Sequence, residues 1–218
     1  MSTAELVEIL VAHLELADLL RAGRDRMLDP QDLPGKYGRV VRALDHVLES
    51  IHGQAVVAGG WAVWRHGYLG RVTQDVDIVV SLDQLDALLA AAAVSGFEVP
   101  AVAPGVWPKL RHKETCVDVD ILPENAVPGT PARPAPTQIL HPARMGAETG
   151  RLKYIDLPGL IELKLAAGRA RDESDVVELV LANPDRIDAL RAHLASVHAQ
   201  YAEQFDELVA RARDQAAR

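Results

Sequence analysis

Apolar residues in the first part of the chain recur with helical spacing. Leu6, Ile9, Leu10 and Leu14 lead into further leucines as far as Leu20, and Ser2 with Glu5 stand where a capping box opens a helix, so an amphipathic helix is predicted over 4–22. Pro30, Pro34 and Gly35 break the pattern, and a second helix is predicted over 37–51 on the stripe Val40, Val41, Leu44, Val47 and Leu48. The period then changes. Residues 55–58 read as a short strand ended by Gly59-Gly60, 61–67 as a brief helix, and 75–80 as a strand in which carboxylates alternate with valine. An Ala/Leu-rich helix over 82–94 ends at Gly96, and strands are predicted over 97–99, 106–112 and 115–122. The last of these puts Cys116, Asp118 and Asp120 on one face and Val117, Val119 and Ile121 on the other. Six prolines in the twenty residues 123–142 exclude a helix or an interior strand there. Helices are predicted again over 157–168, 174–181 and 186–197, with a polar amphipathic one running to about Arg213. Strands flanked by helices make an α+β fold, divided into an N-terminal helical segment (1–36), a core (37–142) and a helical C-terminal part (143–218).

Composition narrows the classes. Of 218 residues 49% are apolar and 25% charged, and no apolar run approaches the length needed to cross a bilayer, so neither general disorder nor a membrane-spanning chain is expected. Glu5, Glu8, Glu15 and Asp18 give the N-terminus the wrong charge for a secretory leader, so the expected location is cytoplasmic. The single cysteine, Cys116, excludes an intrachain disulfide, and no Cys/His cluster has zinc-ligand spacing. The net charge of −8 hides an asymmetry: residues 105–171 carry ten Lys/Arg against seven Asp/Glu, or +3, leaving −11 elsewhere. That balance excludes indiscriminate nucleic-acid binding but leaves room for a local basic wall around a phosphorylated ligand.

The chemistry concentrates between Val57 and Ile78. Residues i and i+2 of a strand share a face, so Asp75 and Asp77 place two carboxylates about 7 Å apart at their Cα atoms. Hard oxygen donors in that arrangement suit Mg²⁺ (or Mn²⁺) held together with substrate phosphates. Gly59-Gly60 stands between strand and helix, where backbone N–H groups can approach phosphate oxygens without a Cβ in the way. Acids gathered on one sheet face would repel one another without a cation.

The order Gly59-Gly60, Arg71-x-Thr73-x-Asp75-x-Asp77-Ile78, then Val119-Asp120-Ile121-Leu122 resembles the minimal nucleotidyltransferase domain of the polymerase-β type. Its nearest flavours are the abortive-infection toxin nucleotidyltransferases and the aminoglycoside or lincosamide adenylyltransferases, and the resemblance spans roughly residues 40–182. It implies a short mixed sheet flanked by helices, two divalent metals, and transfer of a nucleoside monophosphate from an NTP to an acceptor with release of pyrophosphate. Asp75, Asp77 and Asp120 would be the catalytic metal ligands and Gly59-Gly60 the phosphate-facing turn. Many members have Gly-Ser at that turn. Gly60 has no hydroxyl, so triphosphate contacts would fall to backbone amides, Arg71 and Thr73.

Asp118 shares the Asp120 face, and the alternation alone separates neither. Ile121-Leu122 after Asp120 matches the family pattern, and Lys109, Arg111 and Lys113 on a neighbouring strand offer partners to Asp118, so Asp120 is taken as the third carboxylate. Lys164 follows Leu157, Leu160 and Ile161 on an apolar stripe; it either snorkels outward or, as the family resemblance suggests, contacts the triphosphate with little role in stability. Asp172 and Asp175 fit a helix N-cap and its first turn, or an acidic pair beside that lysine. Trp61, Trp64 and Tyr68 read as core rather than as platforms for a base, and Arg65 and His66 as weak candidates for the pocket mouth. The acceptor stays open between an RNA end, a protein and a small molecule such as an antibiotic, and a silent nucleotide-binding module is the non-enzymatic alternative. The amphipathic first and last helices offer surfaces to an antitoxin or a second copy.

Overall fold

The computed structural model describes residues 2–21, 29–33, 35–103, 105–146 and 150–217. Six strands form one mixed sheet in the order β3-β4-β5-β2-β1-β8. They are β1 (Ala55–Val57), β2 (Val76–Val80), β3 (Phe97–Glu98), β4 (Lys109–His112), β5 (Asp118–Pro123) and β8 (Leu152–Tyr154). β2 runs antiparallel to β1 and parallel to β5, while β1 runs parallel to β8. All of β1 is buried, as a strand covered on both faces requires, whereas β5 alternates half-buried Asp118, Asp120 and Leu122 with buried Val119, Ile121 and Pro123.

Helices α1 (Thr3–Arg21), α2 (Gly35–Ser50), α3 (Gly59–Arg65) and α4 (Leu85–Val94) belong to the first half, and α5 (Leu157–Ala167), α6 (Ala170–Ala182), α7 (Ile187–Val197) and α8 (Ala199–Ala216) to the second. The α2 stripe read from the sequence is the one buried. α5 is the central helix of the C-terminal group. Asp156 caps its N-terminus by accepting the Gly159 N–H at 2.8 Å, and Gly168 ends it at φ +62°, a conformation only glycine adopts without strain. The α+β arrangement with a helical C-terminus is therefore present.

Two expectations are corrected and two elements are added. α1 forms as predicted, with Leu6 N–H bonded to Ser2 O at 3.1 Å, but Leu6, Leu10 and Leu14 of its leucine stripe are exposed, and His13 and Ala17 face the core. The Glu5 and Ile9 side chains, and Pro34, lie outside the described residues. The strand holding Asp118 and Asp120 begins at Asp118: Cys116 sits in the β4–β5 turn at φ +54°, where His112 O takes its N–H at 2.8 Å. The proline-rich segment holds a small hairpin, β6 (Gly129–Thr130) with β7 (Arg133–Pro134), short enough to avoid interior ladder positions. β8 has no counterpart in the sequence pattern, because three residues are too few to show a period. No helix among the described residues is long and apolar enough to cross a membrane.

Candidate active site

Strand register brings the acids together. In the parallel β2–β5 pair Asp77 stands directly opposite Asp120, and Asp75 immediately precedes β2. Asp118 instead falls opposite Arg111 in the β4–β5 pair and binds it at 3.0 Å. Lys109, expected beside Asp118, is in register with Asp120, and its Nζ approaches Asp120 Oδ1 to 2.8 Å. The two form an ion pair at the edge of the acid cluster. Burial, and then the Asp75 and Asp120 charges, push the Asp77 carboxyl up to about 6. A carboxyl crowded by two others is a donor set that fits a hard divalent cation. Such a cation would compete with Lys109 for Asp120 and with the Thr73 hydroxyl, which Asp75 Oδ1 accepts at 3.1 Å.

The two glycines are needed for closeness. Gly59 has φ +59°, and a Cβ there would fall on the Asp77 carboxylate; one on Gly60 would fall on the Thr73 hydroxyl and press on the Arg71 guanidinium. The turn thus packs against the acids, and the space a side chain would take belongs to Asp77 and Thr73.

Arg71, Thr73, Lys164 and Asp175, expected around a triphosphate, form a buried support. Thr73 is 1% exposed and gives its hydroxyl to Asp75. Lys164 neither snorkels nor reaches outward: it is 5% exposed, and its Nζ donates to Asp172 at 3.0 Å and Asp175 at 2.6 Å. Asp175 meets the Arg71 Nε at 3.3 Å, and Arg169 donates to Asp172 at 2.6 Å. Asp172 is not the N-cap of α6, which is Arg169; burial pushes its carboxyl up, but the bonds from Arg169 and Lys164 outweigh that and hold it below its ordinary value. Trp61, Trp64 and Tyr68 pack in or against the core, and His66 bonds Ile155 O at 2.8 Å, a structural role.

A cavity of about 250 Å³ is lined by Gly59, Asp77, Trp107, Asp120, Lys164 and Arg169 among others. It shares Thr130, Lys164 and Arg169 with a cleft of about 700 Å³ running toward α8, and Trp107 and Asp120 with another of about 550 Å³. No family model matches the chain, and no curated protein matches it. Solved structures overlap it in part. The crystal structure of ANT(2'')-Ia in complex with adenylyl-2''-tobramycin is 17% identical, covers 82% of this chain and 97% of that one, and gives a TM-score of 0.41. The lincomycin-bound lincosamide antibiotic adenylyltransferase LnuA is 17% identical over 65% of this chain and 94% of that one, with a TM-score of 0.45. JHP933 from Helicobacter pylori is 13% identical over 80% and 88%, with a TM-score of 0.34. The functional reading therefore stands on the residues themselves.

Sequence reasoning missed one cluster. Among the described residues, Asp83, Glu124 and His141 bring their ligand atoms within 4.8 Å of one another, beyond the end of β5. Glu124 there accepts the Leu82 N–H and His141 the Ala143 N–H, both at 3.1 Å, so two of the three serve as local caps. They are scattered along the chain, and no spacing rule reveals them.

Proposed function

We propose that the chain is a divalent-metal-dependent nucleotidyltransferase that moves a nucleoside monophosphate from an NTP to an acceptor and releases pyrophosphate. The observation that carries this is the register that sets Asp77 opposite Asp120, both in the wall of a cavity that shares lining residues with two clefts, with Asp75 just upstream in the chain. Asp75, Asp77 and Asp120 would hold Mg²⁺ or Mn²⁺, which would supply charge neutralisation at the transferring phosphorus. Asp120, beside the neighbouring cleft, is the group placed to take the acceptor's proton or to share a ligand position. Gly59-Gly60 is the phosphate-facing turn, and Arg71 and Lys164 contribute positive charge behind it. The acceptor in the first reading is an RNA end or a protein; the net charge of −8 favours a second, a cationic small molecule such as an antibiotic.

NTPs labelled at the α-phosphate, offered with Mg²⁺ to total RNA, protein and antibiotic panels, should label one class, and Asp77→Asn should label none while remaining folded. Calorimetry showing no NTP binding in the presence of Mg²⁺ or Mn²⁺ would overturn the reading.

A further inference from the structure

Residues 70–74 carry Arg71 and Thr73 and lead into Asp75, yet they belong to no helix or strand. Backbone in such a segment must find its hydrogen bonds elsewhere. Here side chains from three helices take the carbonyls of 71–73 and 75: Trp64 Nε1 donates to Arg71 O at 2.6 Å, Arg171 to Val72 O at 3.0 Å, Tyr37 to Thr73 O at 3.2 Å and Trp61 Nε1 to Asp75 O at 2.9 Å. A further grip comes from α1. His13 Nε2 lies 2.6 Å from Thr73 O and 3.3 Å from Thr73 N. One nitrogen cannot donate to the first and accept from the second, and the shorter contact makes it the donor. The imidazole is 6% exposed, stacked on Trp61 at 6.2 Å between centroids and edge-on to Tyr37 and Trp64. The residue it holds is the one whose hydroxyl orients Asp75 Oδ1.

We propose that His13 is a positioning residue for Asp75: the N-terminal helix sets the first carboxylate by clasping the Thr73 carbonyl. For catalysis this rests on the nucleotidyl-transfer reading. It also accounts for why α1 buries a histidine while Leu6, Leu10 and Leu14 are exposed. An aromatic recess floored by a backbone carbonyl is satisfied by a flat ring that carries a donor, and leucine has none.

The test compares wild type, His13→Phe, His13→Gln, Tyr37→Phe and Ala17→Gly, by hydrogen exchange on the ligand-free protein and by the Mg²⁺ midpoint of nucleotidyl transfer. Phe fills the ring's volume without a donor, Gln retains an N–H, Tyr37→Phe removes the second bond to the same carbonyl, and Ala17→Gly loosens α1 without touching the segment. In His13→Phe the amides of 71–76 should exchange about tenfold faster and the Mg²⁺ midpoint should rise about tenfold, the scale of one lost hydrogen bond, while kcat at saturating Mg²⁺ changes much less. His13→Gln should restore both, and Ala17→Gly should move neither. Should His13→Phe fail to fold, the same regional acceleration in Tyr37→Phe decides. Exchange over 71–76 unchanged in these variants, or raised equally by Ala17→Gly, overturns the proposal. Faster exchange with no Mg²⁺ response in any form, wild type included, supports the clasp and overturns the transfer reading instead.

Discussion

At the scale of single residues the site is built on closeness. Because a Cβ on Gly59 would fall on the Asp77 carboxylate and its φ is positive, Gly59→Ala should cost on the order of 1–3 kcal/mol in denaturant unfolding and remove activity, by moving the acid it packs against. A second residue supplies a pH dependence away from the carboxylates. Glu162 on α5 is 4% exposed; burial pushes its carboxyl up, against the bond that His193 makes to it at 3.2 Å. A raised folded pKa means that its contribution to stability is complete below the unfolded value and is lost as pH rises through the folded one. Glu162→Gln removes that loss. Thermal melts should therefore show the variant gaining on wild type as pH rises from acid to neutral, read as the difference in Tm between the two proteins.

Whole elements explain where Lys164 comes to lie. The 3.6-residue stripe placed it correctly on the apolar face of α5, but whether that face meets a cleft or another helix is set by where α6 docks. α6 brings Asp172 and Asp175 onto the ammonium, and a lysine with two buried acids is an internal link. Lys164→Met should thus destabilise by on the order of 3 kcal/mol in urea unfolding, since it leaves two buried carboxylates with only Arg169 and Arg71. Unchanged stability with weakened nucleotide binding would restore the exposed reading. The choice between Asp118 and Asp120 was likewise an element-scale matter. Alternation put both on one face, and strand pairing sets Asp120 opposite Asp77 and Lys109 and Asp118 opposite Arg111.

Across the whole molecule the C-terminal helices hold the site from behind. α8 buries Tyr201, Ala202, Phe205, Leu208, Val209 and Ala212, and the Tyr201 hydroxyl bonds Thr137 in the proline-rich segment at 2.8 Å. Phe205→Ala should cost about 3–5 kcal/mol as a cavity in a fully buried position. Tyr201→Phe, which removes one hydrogen bond, should cost about 1 kcal/mol. Both are measured by urea denaturation.

The sequence by itself determined the elements that repeat long enough to show a period: α1, α2, α4 and the C-terminal helices, the β2 strand, and the grouping of Asp75, Asp77 and Asp120 by alternation and motif. It also determined that Trp61 and Trp64 are core. Only the tertiary structure decided that three residues at 152–154 complete the sheet, that α1 turns His13 and Ala17 to the core while Leu6, Leu10 and Leu14 are exposed, and that Arg71, Thr73, Lys164 and Asp175 lie behind the acids. The reason is physical. Periodicity records which side of an element is apolar, a local property, whereas partners are assigned by register and docking between different elements, as with His13 and Thr73, 60 residues apart.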